Sequence, residues 1–147
     1  MTVGSIERFM VEDHARLDQL MSRALAPDEI DLGTFEAFRE GLLRHIGMEE
    51  KVLLPFLRAR GAPWPFASEL RRDHGALAKM LVPTPTRERC DAICELLARH
   101  NPLEEGEHGL YAACDAVAGA DAARLVEELR AAPRVPLAKH YDGPLIR

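Results

Sequence analysis

Two stretches of the chain share the skeleton R-H-x-x-x-E-E. Residues 44–50 read RHIGMEE and residues 99–105 read RHNPLEE, and each stretch closely follows a pair of leucines. In a helix, a His and a Glu four positions later lie about 40° apart in projection and one turn apart along the axis. Both side chains of such a pair can therefore reach the same ion. This spacing predicts two ligand pairs, His45 with Glu49 and His100 with Glu104.

Two further histidines belong to the same pattern. DHARLDQLM (residues 13–21) resembles DHGALAKML (residues 73–81), and each stretch has Asp-His followed by Leu three positions on. A single His followed by His-x-x-x-Glu-Glu thus occurs once in each half of the chain. The separation is 31 residues from His14 to His45 and 26 residues from His74 to His100. This order indicates an internal duplication of a helical hairpin that carries half a site.

These polar residues interrupt the apolar faces of predicted helices. His14, for example, falls between Met10 and Leu17, at positions that share one face of a helix. Burying an unpaired carboxylate costs on the order of several kcal/mol even after relaxation. A cation neutralises the carboxylates and accepts the imidazole lone pairs. The sequence therefore predicts a metal site whose ligands are His14, His45, Glu49, His74, His100 and Glu104.

The predicted ligands form a mixed nitrogen and oxygen donor set. Four imidazoles and two carboxylates suit iron or manganese better than they suit structural zinc. If both carboxylates are shared between two ions, two histidines remain for each ion. The residues alone therefore allow a site for two ions and do not decide between iron, manganese and zinc, because this donor set tolerates all three.

The charged residues beside the predicted ligands have their own expected roles. Asp13 and Asp73 lie off the histidine faces of their own helices, so they either orient a histidine on a neighbouring helix or face water. Glu50 is rotated off the ligand face, and we expect it to be solvated or to form a surface pair with Arg44 or another neighbour. Arg44 and Arg99 are expected to be solvated flanks of the motifs.

The apolar residues recur with helical periodicity. Proline and glycine mark the ends of the periodic segments, although Pro55 sits inside the second one and is expected to kink or shorten it. The predicted helices cover residues 5–26, 34–60, 65–82 and 86–119, the last interrupted at Asn101 and Pro102, with a shorter helix over residues 121–131.

Long amphipathic helices joined by short loops predict an all-α protein, folded as an up-down-up-down four-helix bundle with a short C-terminal helix and a Pro-rich tail. Residues 1–132 are expected to form the metal-binding domain and residues 133–147 the tail. We expect the tail to pack against another part of the protein.

Composition is consistent with one soluble domain. The chain has 147 residues, 47% apolar and 29% charged, with a net charge of −5 that argues against nucleic acid or an anionic membrane as a partner. No signal peptide or apolar run of about 20 residues is visible, so we expect a cytoplasmic protein. The three cysteines lack the spacing of a disulfide framework and are expected to be small buried side chains.

Taken together, the motifs Asp13-His14, His45…Glu49, Asp73-His74 and His100…Glu104 resemble the hemerythrin-like, or HHE cation-binding, family over roughly residues 6–117. The resemblance implies a four-helix bundle with a non-haem di-iron centre that binds or senses O2, NO or iron. The alternative that it implies is a di-iron enzyme that reacts with peroxide, O2 or NO, including repair of iron–sulfur clusters. A protein partner or a second copy of the chain can be accommodated at the tail.

The sequence departs from oxygen-carrying members at three places. Carriers place a second His one turn after the third-helix His, where this chain has Ala78, which favours an open reactive or sensing site over a dedicated carrier. Carriers place the last acidic ligand five residues after His, which corresponds to Glu105, whereas Glu104 matches the spacing of Glu49 and is preferred. Two extra residues before Leu110 bring His108 near the site, where it either replaces the missing ligand or lies outside the bundle.

Overall fold

A computed structural model of the chain describes residues 3–144, which contain helices and no β-strand. The prediction of an all-helical protein is therefore confirmed for this range. None of the described helices is both long and apolar enough to cross a lipid bilayer. The helices are α1 (Ser5–Leu25), α2 (Leu32–Met48), α3 (Leu54–Ala59), α4 (Ala67–Met80), α5 (Arg87–Glu104), α6 (Leu110–Ala118) and α7 (Ala122–Arg130), with a π-helical turn at Glu49–Leu53 and a 3-10 turn at Gly119–Asp121.

Side-chain caps explain where two of the helices begin. The carboxylate of Asp31 accepts a hydrogen bond from the backbone N–H of Thr34, 3.2 Å away, at the start of α2. The hydroxyl of Thr86 does the same for the N–H of Arg89 at 3.1 Å, at the start of α5. Each cap satisfies a backbone donor that has no partner within the helix, so both residues specify the first turn of a helix that carries predicted ligands.

The second predicted helix is continued through Pro55 by the π-helical turn. Proline has no N–H, so the carbonyl of Lys51 cannot receive the usual hydrogen bond four residues on. The N–H of Leu54 instead binds the carbonyl of Glu49, five residues back. The backbone therefore takes one wide turn after Glu49 and then resumes as α3, which ends at Ala59. Such turns inside α-helices are frequent at functional sites.

The predicted interruption at Asn101 and Pro102 is wrong. Helix α5 runs through Pro102 to Glu104, and the chain leaves the helix at residues 105–109. Pro102 removes only the hydrogen bond to the carbonyl of Ala98, an exposed residue in the last turns of the helix, where water can replace the lost donor. Gly106, with φ of 90°, turns the chain away.

Buried apolar side chains form two clusters with a polar layer between them. Along α1, Met10 belongs to the first cluster and Leu17 to the second, with His14 between them. Along α4, Leu70 and Leu77 are divided in the same way around His74. The histidines of the sequence motifs therefore lie at one level of the molecule, between two apolar halves of the core.

A carboxylate on α6 fixes that helix to the start of α1. Asp115 accepts hydrogen bonds from the backbone N–H groups of Ile6 and Glu7, both at 3.0 Å. Gly4 permits this approach, because a Cβ on that residue would lie 2.2 Å from the carboxyl carbon of Asp115. The interaction supplies the N-terminal cap that α1 lacks within its own sequence.

The described part of the tail contacts the bundle through backbone and side-chain hydrogen bonds. The N–H of Tyr141 binds the carbonyl of Val82 at 2.9 Å, and Asp142 accepts from the N–H and the hydroxyl of Thr84 at 2.8 and 2.7 Å. Nearer the start of the tail, the N–H of Val135 binds the carboxylate of Glu40 at 3.1 Å. Residues 145–147 of the predicted tail lie outside the described residues.

Candidate metal centre

The six predicted ligands meet in the polar layer between the two apolar clusters. Their nitrogen and oxygen atoms form two overlapping groups, and the atoms of each group lie within 4.8 Å of one another. Both groups are buried, with His14 only partly so. The first group contains His14, His45, Glu49 and Glu104, and the second contains Glu49, His74, His100 and Glu104.

Each shared carboxylate directs one oxygen to each group. Glu104 Oε1 lies 2.9 Å from Nε2 of His14, and Glu104 Oε2 lies 2.7 Å from Nε2 of His100. Glu49 Oε2 lies 3.3 Å from Nε2 of His45, and Glu49 Oε1 lies 2.9 Å from Nε2 of His74. The side chains of Glu49 and Glu104 are 0% and 1% exposed, so both are removed from solvent. This arrangement places two carboxylates between two pairs of imidazoles.

The outer nitrogen of each histidine ring is held by a carboxylate. The Nδ1–H of His45 donates to Asp13, and that of His100 donates to Asp73, both at 2.8 Å. Because a carboxylate only accepts, the ring nitrogen facing it must carry the proton. The same pairing is made by His74 with Glu50 at 2.6 Å and by His14 with Glu105. All four Nε2 atoms are therefore directed into the polar layer, as the outer partners of metal-bound histidines direct them.

These contacts decide between the expectations for the flanking acids. Asp13 and Asp73 each orient the histidine of the neighbouring helix, which was one of their two predicted roles. The expectation for Glu50 was wrong, because its carboxylate accepts a hydrogen bond from the ring of the buried His74. The expectation that Arg44 is only solvated was also wrong, because its guanidinium donates hydrogen bonds to the carbonyls of Arg130 and Ala132 at 2.7 and 2.8 Å.

Tyr111 is the member of the site that the sequence motifs did not predict. Its hydroxyl oxygen lies 3.2 Å from Nε2 of His14, 3.1 Å from Nε2 of His45 and 3.0 Å from Oε1 of Glu104, and it donates to Glu49. The residue is 0% exposed. A phenol in a helix that is apolar apart from Asp115, LYAACDAVA, must find a polar partner when it is buried, and this was the signal available in the sequence.

When no metal is bound, the neighbouring carboxylates raise the pKa values of the buried histidines. Burial alone lowers the pKa of His45, but the charge of Glu49 and the hydrogen bond to Asp13 outweigh it and raise the pKa to about 10. Burial is likewise outweighed at His74, where hydrogen bonds to Glu104 and Glu49 raise the pKa to about 10.

The carboxylates respond in the opposite sense. Burial by itself raises the pKa of Glu104, but hydrogen bonds from His100 and His14 hold it well below its usual range. The pKa of Tyr111 is raised well above its usual value by burial and by the charges of Glu49 and Glu104. At neutral pH the metal-free site is thus a network of imidazolium and carboxylate groups, and a metal ion must displace the protons on Nε2.

Other candidate positions lie outside the two groups. His108 is exposed and lines a surface pocket with Trp64 and Phe66. It therefore does not replace the histidine that is missing at the position of Ala78. Of the cysteines, Cys90 and Cys114 are buried as expected, whereas Cys94 is exposed and the expectation for it was wrong.

A family model described as the hemerythrin HHE cation-binding domain matches residues 5–108. The chain belongs to the hemerythrin HHE cation-binding family. Searches of curated proteins and of solved structures gave no match. The matched segment of this hemerythrin-family chain contains all six predicted ligands and ends before Tyr111. The phenol therefore reaches the site from a helix that the family match does not cover.

Proposed function

We propose that this hemerythrin-family protein holds two iron ions side by side in an up-down-up-down helical bundle and binds or senses O2, NO or iron there. The observation that carries the proposal is the division of each carboxylate. Glu49 and Glu104 each present one oxygen to His14 and His45 and the other to His74 and His100.

The protein atoms themselves fit a metal. Glu49 Oε1 is buried and lacks a hydrogen bond of acceptable geometry among the described residues, although His74 Nε2 is only 2.9 Å away. These two atoms lie close together without the alignment of a hydrogen bond, and two ligands of a common ion are placed in the same way. The donor set of imidazole and carboxylate suits iron and manganese, so iron is the proposed resident metal.

The two halves of the proposed centre are not equivalent. The first group gains a fifth donor from the hydroxyl of Tyr111, whereas the second group has four protein donors and no His at the position of Ala78. The second group would therefore supply fewer donors to an ion than the first, and a small exogenous ligand would complete the coordination there. Iron supplies reversible binding and activation of O2, NO or peroxide at such positions. This difference also favours the second candidate function, a di-iron enzyme that reacts with those molecules.

The protein's own residues position and isolate the chemistry. Asp13 and Asp73 fix the rings of His45 and His100, so their Nε2 atoms stay directed at the site. An apolar cluster lies on each side of the polar layer, and the carboxylates of Glu49 and Glu104 are 0% and 1% exposed. Electrostatic interactions inside the layer are consequently stronger than they would be in solvent.

Metal analysis tests the proposal directly. Protein loaded anaerobically with iron(II) and desalted is expected to retain about two ions per chain, since the donors form two groups. His74→Ala is expected to lose at least the second ion, whereas His108→Ala, at an exposed histidine outside both groups, is the matched control and should retain both. Fewer than one ion per wild-type chain would overturn the proposal. With iron bound, spectral changes that reverse when O2 or NO is removed support binding or sensing, and turnover of peroxide supports the enzyme.

The proposed ligand role of Tyr111 has a separate spectroscopic signature. A phenolate bound to iron(III) gives a visible charge-transfer band, so the oxidised protein is expected to show one. Tyr111→Phe should abolish the band while iron is retained, because both imidazoles and both carboxylates remain. The matched control is Tyr141→Phe, which removes the other tyrosine of the chain, an exposed residue. Two bound irons with no such band in the wild type would restrict Tyr111 to a hydrogen-bonding role.

A further inference from the structure

The candidate metal centre opens on one side into a cavity of about 180 Å³. The four histidines and two shared glutamates form the polar end of this cavity. Its remaining walls come from four helices, α1, α2, α4 and α5, and include Asn101, whose Oδ1 is buried and has no hydrogen-bond partner among the described residues. The apolar wall consists mainly of Leu17, Met21, Phe38, Leu42, Leu77 and Leu97.

This space is larger than a diatomic molecule requires. An apolar cavity of about 150 Å³ in a protein core stays dry and binds benzene. Ions held at the polar end leave the apolar walls in place, because those walls extend from Leu17 to Met21 along α1 and from Leu42 back to Phe38 along α2. In the metal-free protein the cavity, which includes the space between the six candidate ligands, therefore has the volume of a molecule of about six carbon atoms.

We propose that this cavity binds a small, neutral, apolar organic molecule of about benzene size. The proposal that this molecule lies next to a metal ion rests on the proposed function, whereas the binding site itself rests only on the cavity. A largely apolar ligand is favoured because most of the wall away from the candidate metal ligands consists of Leu, Met and Phe side chains. An anion is disfavoured by Glu49, by Glu104 and by Asp18 at the rim.

The rim of the cavity lies between α1 and α5. Asp18 on α1 and Cys94 and Ala98 on α5 line the cavity and are also exposed to solvent. These residues have short side chains, so they leave an entrance between the two helices. A ligand that enters here passes the apolar walls before it reaches the histidines.

Two neighbouring leucines on α5 provide matched variants for a test. Leu97 lines the cavity, whereas Leu96 packs against the same apolar cluster without lining the cavity, and both side chains are partly buried. Leu97→Phe adds side-chain atoms that fill part of the cavity. Leu96→Phe adds the same atoms outside the cavity. A general effect of the larger side chain on folding should therefore appear in both variants.

Benzene binding to the metal-free and iron-loaded protein is to be measured by calorimetric titration and by the rise in thermal midpoint. Wild type and Leu96→Phe are expected to bind benzene, and Leu97→Phe is expected to bind about tenfold or more weakly, a loss of about 1.4 kcal/mol or more. No binding by wild type, or equal binding by Leu97→Phe, would overturn the inference.

Iron content measured on the same three proteins separates this inference from the proposed function. Iron retention without benzene binding would contradict the binding of an organic ligand and leave the proposed metal centre intact. Benzene binding without iron retention would contradict the proposed metal centre and support the cavity as a binding site. Equal iron content in Leu97→Phe and wild type is expected, since Leu97 is not among the proposed ligands.

Discussion

Glu104→Gln is expected to reduce the iron retained by the loaded protein from about two ions per chain to fewer than one, whereas Glu105→Gln retains iron with weaker affinity. Glu104 is 1% exposed and presents an oxygen to each group of donors. The substitution removes the negative charge that both groups share and replaces one of the two oxygens with an NH2 group, which is not a metal ligand. Glu105 contacts the outer nitrogen of His14, and loss of such an outer partner typically costs about 10- to 100-fold in metal affinity. Metal analysis and titration against a competing chelator measure the two effects.

The comparison also decides which acidic residue of the second motif is the ligand. Glutamine is nearly the same size as glutamate, so both variants are expected to keep the helical content of the wild type, which circular dichroism checks. Equal losses of iron would contradict the distinction between Glu104 and Glu105. A greater loss in Glu105→Gln would assign the ligand role to the residue five positions after His100.

The metal-free protein is expected to lose stability as the pH is raised from about 6.5 to about 10. His45 and His74 have folded-state pKa values of about 10, above the unfolded value of 6.5. Their protonation stabilises the folded protein fully below the unfolded pKa, and this contribution is lost as the pH rises through the folded pKa. The loss in free energy of unfolding should be on the order of a few kcal/mol. Urea denaturation with a chelator present, at pH values across this range, measures it.

Histidine variants isolate this contribution from other groups that titrate near pH 10. His45→Gln removes a protonatable ring from the buried network, so its free energy of unfolding should fall less steeply over the same range. His108→Gln removes an exposed histidine and should follow the wild type. Metal-free stability that is constant or rises toward pH 10 in the wild type would contradict the prediction.

The helical fold and the convergence of the six candidate ligands were predictable because periodicity and duplication supplied the same signal twice. A histidine on an apolar helical face is ambiguous alone, but four of them with two correctly spaced glutamates are not. The α-helical period places residues at fixed angles, so the four-residue spacing of His45 and Glu49 is enough to assign both side chains to one face.

The remaining features depend on interactions that local pattern does not encode. The π-helical turn carries the chain past Pro55, and Glu50 within it contacts His74 of another helix. Pro102 was predicted to break α5, yet an exposed carbonyl in the last turns makes the loss tolerable. Tyr111 occurs once and has no counterpart in the other half, so the duplication contained no information about it.

The hydrogen bonds to the outer histidine nitrogens have a consequence for the ancestry of the domain. Asp13 and Asp73 serve histidines of their own halves, but Glu50 of the first half serves His74 of the second, and Glu105 of the second half serves His14 of the first. This reciprocity is the signature of a two-fold symmetric interface, in which each partner offers the other what it receives. A single hairpin of this kind would leave one of its histidines without an acceptor and would complete its site only by pairing with an identical copy. The two halves of the present chain are, in this sense, related to each other as the subunits of a symmetric dimer are.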